Sequence, residues 1–145
     1  MAAPATAVSS VLPNGYALAV VGYRRFVDYS RAADALDAFI HEYGRPGSIV
    51  SGGCEGADQL AERYANNHGI TMVTMSADWR DASGGGRLTP GRNYRQEAGP
   101  ERNARIVEAA DALVAFVSTN SRGTRNTLRL ARQKRMRVIK SIDID

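Results

Sequence analysis

Ser48-Ile49-Val50-Ser51-Gly52-Gly53-Cys54-Glu55-Gly56-Ala57-Asp58-Gln59-Leu60-Ala61-Glu62-Arg63-Tyr64-Ala65 is the stretch that decides how this chain reads. A short apolar run enters a glycine-rich turn, and the turn leads straight into residues with helical spacing. Strand, turn and helix N-terminus in that order make an anion site. Glycines let the backbone approach a ligand, and the first free N–H groups of the helix point at it with the positive end of the dipole. Asp58 falls in the first turn of that helix, where a carboxylate either caps N–H groups or accepts a ribose hydroxyl. Close packing of a helix on a sheet demands the same glycines. The remainder of the chain has to choose between these readings.

Upstream, Tyr16 to Val21 is a continuous apolar run that ends at Gly22. It is too short for a helix and reads as a strand buried on both faces. A turn, Gly22 to Asp28, precedes a helix with Ala32, Ala35, Leu36, Phe39, Ile40 and Tyr43 on one face and Asp28 or Ser30 as its N-cap. Gly44 stops this helix. The helix after the glycine turn buries Leu60, Ala61, Tyr64 and Ala65, with Gly69 just past its end.

Downstream, Ile70 to Met75 reads as a third strand. Residues 80–99 then lose all periodicity and carry Gly84-Gly85-Gly86 and four arginines, Arg80, Arg87, Arg92 and Arg95; this segment is expected to be a basic flap, with disorder as the alternative. Pro100 is expected to open a helix that buries Ile106, Val107 and Ala110. Ala112 to Val117 is a fourth strand, Ser118 to Arg125 a second polar turn, and Thr124, Thr127, Leu128 and Ala131 mark the inner face of a last helix capped by Thr124. Val138 to Ile142 closes the set as a fifth strand.

Apolar strands that alternate with amphipathic helices imply an α/β fold, Rossmann-like: a doubly wound, parallel five-stranded sheet with helices on both faces. All four polar turns then sit at strand carboxyl ends, where such sheets bind ligands. Residues 1–14 are expected to be a flexible N-terminus and 15–145 a single domain. The opening residues lack the basic start and apolar centre of a signal peptide, which points to a cytoplasmic protein. A single cysteine, Cys54, rules out an internal disulfide, and two histidines without a Cys/His cluster argue against a metal site. No cofactor is expected. A net charge of +4 and a pI near 9.6 favour anionic partners, nucleotides and nucleic acid alike.

Taken together, the turns resemble the SLOG superfamily, in its YspA-like, YpsA-related branch. Val20-Val21-Gly22-Tyr23-Arg24, Ser51 to Asp58, Ala77-Asp78-Trp79, Gly99-Pro100-Glu101-Arg102-Asn103 and Ser121-Arg122-Gly123-Thr124 carry the resemblance, in order, from Ala17 to Ile142. It implies a Rossmann-like domain that senses or processes a nucleotide or nucleotide-derived ligand. The related LOG phosphoribohydrolases cleave the N-glycosidic bond of nucleoside 5'-monophosphates. Against their motifs Arg102-Asn103 stands where Arg-Lys would be and Gly123-Thr124 matches Gly-Thr, but Asn120-Ser121-Arg122 replaces glycines and Thr127 occupies the glutamate position. The resemblance therefore implies phosphate binding more strongly than hydrolysis. A third relative, the Rossmann domain of the DNA-processing protein DprA, implies a nucleic-acid module.

The residues expected to bind the ligand are Gly22, Arg24, Gly52, Gly53, Gly56, Ala57, Asp58, Arg102, Asn103, Gly123 and Thr124. Arg102 draws attention because a cation at a helix N-terminus opposes the dipole unless an anion lies between. Should the protein hydrolyse its ligand, Asp58 and Glu55 are the catalytic candidates. Cys54 reads as a packing residue, and Asp78 and Trp79 as further members of the motif turns. Apolar residues left over at Ala109, Leu130 and Met136 imply self-association, as a dimer.

Overall fold

The structure is a computed structural model that describes residues 11–77 and 98–145. Residues 1–10, Asp78, Trp79 and all four arginines of the expected flap lie outside the described residues. The elements are β1 (Ala17–Gly22), α1 (Tyr29–Tyr43), β2 (Ser48–Ser51), α2 (Ala57–His68), β3 (Thr71–Thr74), α3 (Ala98–Ala109), β4 (Ala112–Val117), α4 (Arg122–Gln133) and β5 (Val138–Asp143). The strands form one sheet in the order β3-β2-β1-β4-β5, every neighbouring pair parallel. The doubly wound, five-stranded α/β fold expected from the alternation is the one observed.

Alternation along the central strands divides the core in two, because successive side chains of a strand leave on opposite faces. Leu18 and Val20 of β1, Ile49 of β2 and Val114 and Phe116 of β4 pack against Leu36 and Phe39 of α1 and Leu60, Ala61 and Tyr64 of α2. Ala19, Val21, Val50, Leu113 and Ala115 pack on the other face against Ile106 and Val107 of α3 and Leu128 and Ala131 of α4. β1 and β4 are central and almost wholly buried, whereas β3 and β5 are edge strands whose outer residues meet solvent. Leu130 and Met136, two of the three residues expected to form a self-association face, are partly buried against the second core layer.

Asp28 rather than Ser30 caps α1, its Oδ1 accepting the Arg31 N–H at 3.1 Å. Gly44 ends α1, and Gly69, in the left-handed region, ends α2 as its position implies. Tyr16 lies just before β1, its hydroxyl donating to the Gly44 carbonyl at 2.6 Å, and burial pushes its pKa up to about 12.

Two helix starts differ from the sequence expectation. α3 is already helical at Ala98, where the described residues resume, so Pro100 does not open it. Ala98 and Gly99 thus belong to a helix and not to the flap. α4 begins at Arg122 with Ser121, not Thr124, at its N-cap position.

The sheet order places the chain reversal between β1 and β4. At that edge Tyr23 N–H donates to the Phe116 carbonyl, and the Tyr23 carbonyl accepts from both Phe26 and Ala57 N–H groups. Gly56, at φ 73°, makes this junction feasible: a Cβ there would collide with the Arg24 and Tyr23 backbone. Gly56→Ala should therefore lose about 2–4 kcal/mol, the sum of a left-handed backbone and an overpacked contact. Urea denaturation measures it, and a change under about 0.5 kcal/mol would remove the junction from the fold's essential contacts.

Candidate functional site

The turns after β1, β2 and β4 and the first half of α3 enclose a cavity of about 290 Å³ at the strand carboxyl edge. Val21, Gly22, Tyr23 and Arg24 form one wall. Asn120, Ser121, Arg122, Gly123, Thr124 and Thr127 form the opposite one, with Cys54, Asp58, Arg102, Asn103 and Ile106 between them. This is the switch point of the sheet, where strand order reverses.

The floor is built from a buried arginine and a buried carboxylate, both only 8 % exposed. Arg102 donates through Nη1 to the Gly52 carbonyl at 2.9 Å and to Cys54 Sγ at 3.5 Å, and through Nε to Asn103 Oδ1 at 3.0 Å. Asp58 Oδ2 accepts the Cys54 N–H at 3.1 Å. The β2–α2 turn is thereby clamped from both sides. Gly52 is glycine because a Cβ there would run into the Arg102 guanidinium and lie 3.0 Å from Asp58 Oδ2. Desolvation raises the Asp58 pKa; the Cys54 N–H, the Ser51 hydroxyl, the Arg102 charge and the Gly52 N–H oppose that rise without cancelling it. The fully buried Ser51 hydroxyl lies near enough to favour the carboxylate, yet it makes no well-formed hydrogen bond among the described residues.

The expectation that Arg102 crowds a helix N-terminus does not hold. It is the fifth residue of α3, beyond the first turn, and its guanidinium is held by a carbonyl and an amide oxygen. The dipole argument fits α4 better. Its first internal bond runs from Arg125 N–H to the Ser121 carbonyl, so helix geometry gives the N–H groups of Arg122, Gly123 and Thr124 no internal partner. Ser121 does not cap them, because its Oγ accepts the Ser118 N–H at 2.9 Å. Thr127 is equally committed, its hydroxyl donating to the Gly123 carbonyl at 3.1 Å. At the outer side of the same turn, Asp145 accepts from Thr119 N–H and Ser118 Oγ, contacts that hold its pKa below the usual carboxylate range.

Of the expected ligand residues, Gly22, Arg24, Asp58, Arg102, Asn103, Gly123 and Thr124 line the cavity, whereas Gly52, Gly53, Gly56 and Ala57 do not. The latter four shape the turn, and the Ala57 N–H is already spent on the Tyr23 carbonyl. Glu55 is exposed and off the cavity, which leaves Asp58 as its only carboxylate among the described residues. Tyr23, Cys54, Asn120, Ser121, Arg122 and Thr127 also line the cavity, although none is among the expected ligand residues. All six stand in or beside the polar turns, so position at a strand carboxyl end was the signal that could have found them. Among the described residues, three arginines against one carboxylate, with helix N–H groups that lack an internal partner opposite, equip the cavity for an anion. Among the described residues no cluster of histidine, cysteine and carboxylate side chains could hold a metal ion.

A family model described as the YspA, cpYpsA-related SLOG family matches residues 17–81. The Gene 61 protein of Mycobacterium phage D29 is 30% identical over 126 residues, which cover 83% of this chain and 91% of that protein. Among solved structures, DNA processing protein A (DprA) from Streptococcus pneumoniae superposes with a TM-score of 0.67 at 19% identity, over 90% of this chain. The chain spans 51% of that DprA, about half its length. DprA from Helicobacter pylori, solved for its single-stranded DNA binding mode, gives 0.59 at 18% identity, over 91% of this chain and 68% of that one. At such identities the likeness to DprA is one of fold.

Asp58 supplies a pH test of the buried floor. Its folded pKa is raised, so the folded state binds this proton more tightly than the unfolded chain. Its contribution to stability is greatest below the ordinary value of 3.8 and is lost as pH rises through the folded value. Measured by denaturation from about pH 4 upward, the wild type should lose stability relative to Asp58→Asn. Parallel curves for the two proteins would show that the carboxylate is not desolvated in the fold.

Proposed function

This chain belongs to the YspA, cpYpsA-related SLOG family, and on that footing we propose that it binds a nucleotide or nucleotide-derived ligand across the carboxyl ends of β1 and β4. One observation carries the reading: the cavity at the switch point combines Arg24, Arg102 and Arg122 with N-terminal amides of α4 that have no partner within their own helix. The phosphate group lies against the Arg122, Gly123 and Thr124 N–H groups, where hydrogen bonds and the helix dipole both favour an anion. Arg24 and Arg102 supply the countercharge. At about 290 Å³ the cavity is at the lower end of small-molecule sites, matched to a mononucleotide or to one residue of a longer chain.

A second reading takes the ligand to be part of a single-stranded nucleic acid. The fold shared with DprA, whose Helicobacter pylori form was solved for its single-stranded DNA binding mode, supports it. Hydrolysis is the weaker alternative. Thr127, at the position of the LOG glutamate, spends its hydroxyl on its own helix, and Asp58 is the carboxylate left to act as a general acid.

Thermal-shift assays with inorganic phosphate, nucleoside mono- and diphosphates, NAD, ADP-ribose and cyclic nucleotides test the proposal. At least one phosphate compound should raise the melting temperature. Arg24→Gln and Arg102→Gln should each weaken its affinity about tenfold or more, the size of a lost charge-assisted hydrogen bond. No stabilisation by any member, or affinities untouched by both substitutions, would defeat the reading. Chromatography of the same mixtures should show no free base; release that Asp58→Asn abolishes would move the protein to the hydrolases.

A further inference from the structure

Between Ala112 and Ile142 the chain carries eight cations and not one acid: Arg122, Arg125, Arg129, Arg132, Lys134, Arg135, Arg137 and Lys140. The chain as a whole is only +4, so everything outside this segment is net negative. The excess is ordered. Arg122, Arg125, Arg129 and Arg132 follow a three-four-three spacing along α4, which at about 100° per residue gathers them within roughly 80° of arc. All four are exposed, while Thr124, Thr127, Leu128 and Ala131 turn into the core.

Such a row of like charges repels itself and meets no acidic side chain in its own helix. Among the described residues, the ion pairs of this segment are Lys134 with Glu108 at 3.9 Å and Lys140 with Glu42 at 4.0 Å, and neither involves the row. Arg125 bonds the Ser118 and Thr119 carbonyls and Arg129 the Asn126 amide oxygen, contacts that orient the guanidinium groups without neutralising them. We propose that this arginine face of α4 is a docking track for the sugar–phosphate backbone of a single-stranded nucleic acid.

Four features select that partner among polyanions. The row extends about 15 Å, the length of roughly four phosphates of one stacked strand, so the number of charges matches. Arginine supplies all four positions, and its planar fork grips phosphate oxygens in pairs as lysine cannot. An anionic membrane surface fits poorly, because a helix that lies on lipid needs exposed apolar side chains beside its cations. Leu128 and Ala131 are buried in the core, and the large exposed hydrophobics of the described residues, Val11 and Val27, lie elsewhere. The track also leads somewhere: Arg122 heads the row and lines the cavity, so a strand along α4 arrives at the site with one of its own nucleotides. The inference thus specifies the surface for the nucleic-acid reading, and it does not require that a free mononucleotide bind.

Fluorescence anisotropy with a labelled oligodeoxythymidylate of about 12 nucleotides tests it, in salt from about 50 to 200 mM. Arg129 and Arg132 are chosen because neither lines the cavity. R129Q/R132Q should bind the strand at least about tenfold more weakly, with the slope of log affinity against log salt reduced by about 1.4, the share of two phosphate contacts. Arg63→Gln, the loss of one such charge on α2 across the sheet, should leave both quantities nearly unchanged. Thermal melts confirm that each variant folds, and the mononucleotide response of R129Q/R132Q should equal that of the wild type.

Strand binding by the wild type that R129Q/R132Q does not weaken would overturn the track while sparing the nucleic-acid reading. Absence of binding at about 50 mM salt would overturn both. Equal affinity for an oligoglutamate of the same length, or for vesicles containing anionic lipid, would also overturn the assignment to nucleic acid.

Discussion

Arg102 clamped on the Gly52 carbonyl is the contact on which the rest of the site depends. The two residues are 50 apart in sequence, and their bond ties α3 to the turn after β2. An arginine buried to this depth is tolerated only when its donors are satisfied and its charge is answered nearby. The Gly52 carbonyl and the Asn103 amide oxygen engage its Nη1 and Nε donors, and Asp58 places a negative charge nearby. Asp58 in turn accepts the Cys54 N–H, so the carboxylate that feels the Arg102 charge also fixes the glycine turn. Gly52 has no side chain because the guanidinium occupies the place where one would go.

This floor explains why the turn after β2 and the turn after β4 share the labour unequally. The glycine turn satisfies its own amides: Cys54 N–H goes to Asp58 and Ala57 N–H to Tyr23. The start of α4 leaves three amides without an internal partner, because Ser121, the residue placed to cap them, faces Ser118 instead. Anion-binding capacity therefore sits on the β4 side of the switch point, and the β2 side supplies rigidity and the opposing charge. Preorganisation of this kind lowers the ordering cost of binding a small charged ligand.

Much of the fold was legible in the sequence, because it rests on local patterns. Continuous apolar runs at Ala17–Gly22 and Ala112–Val117 could only be central strands of a covered parallel sheet, and Gly44 and Gly69 stand where α1 and α2 end. The boundaries that differed did so where the local rule is permissive. Proline suits any place in the first turn of a helix, so Pro100 did not mark where α3 starts. Ser121 and Thr124 are both hydroxyl residues fit to cap, and only the bond from Ser118 separates their roles. The site was legible as a set of turns and not as a set of contacts. That Gly52 serves Arg102, that Arg102 escapes its own helix dipole, and that Ala57 spends its amide on Tyr23 are all long-range facts with no trace in spacing.

The central claim is that the cavity at the β1–β4 switch point, floored by Arg102 and Asp58 and walled by the start of α4, takes the phosphate of a nucleotide. Amide chemical shifts followed by two-dimensional NMR during titration with a nucleoside monophosphate test it most directly. The account predicts saturable shifts concentrated at Tyr23, Arg24, Cys54 and Asn120 to Thr124, with the Arg122, Gly123 and Thr124 amides moving most. Shifts confined to the far ends of the strands, or none at concentrations that saturate other nucleotide-binding domains, would contradict it.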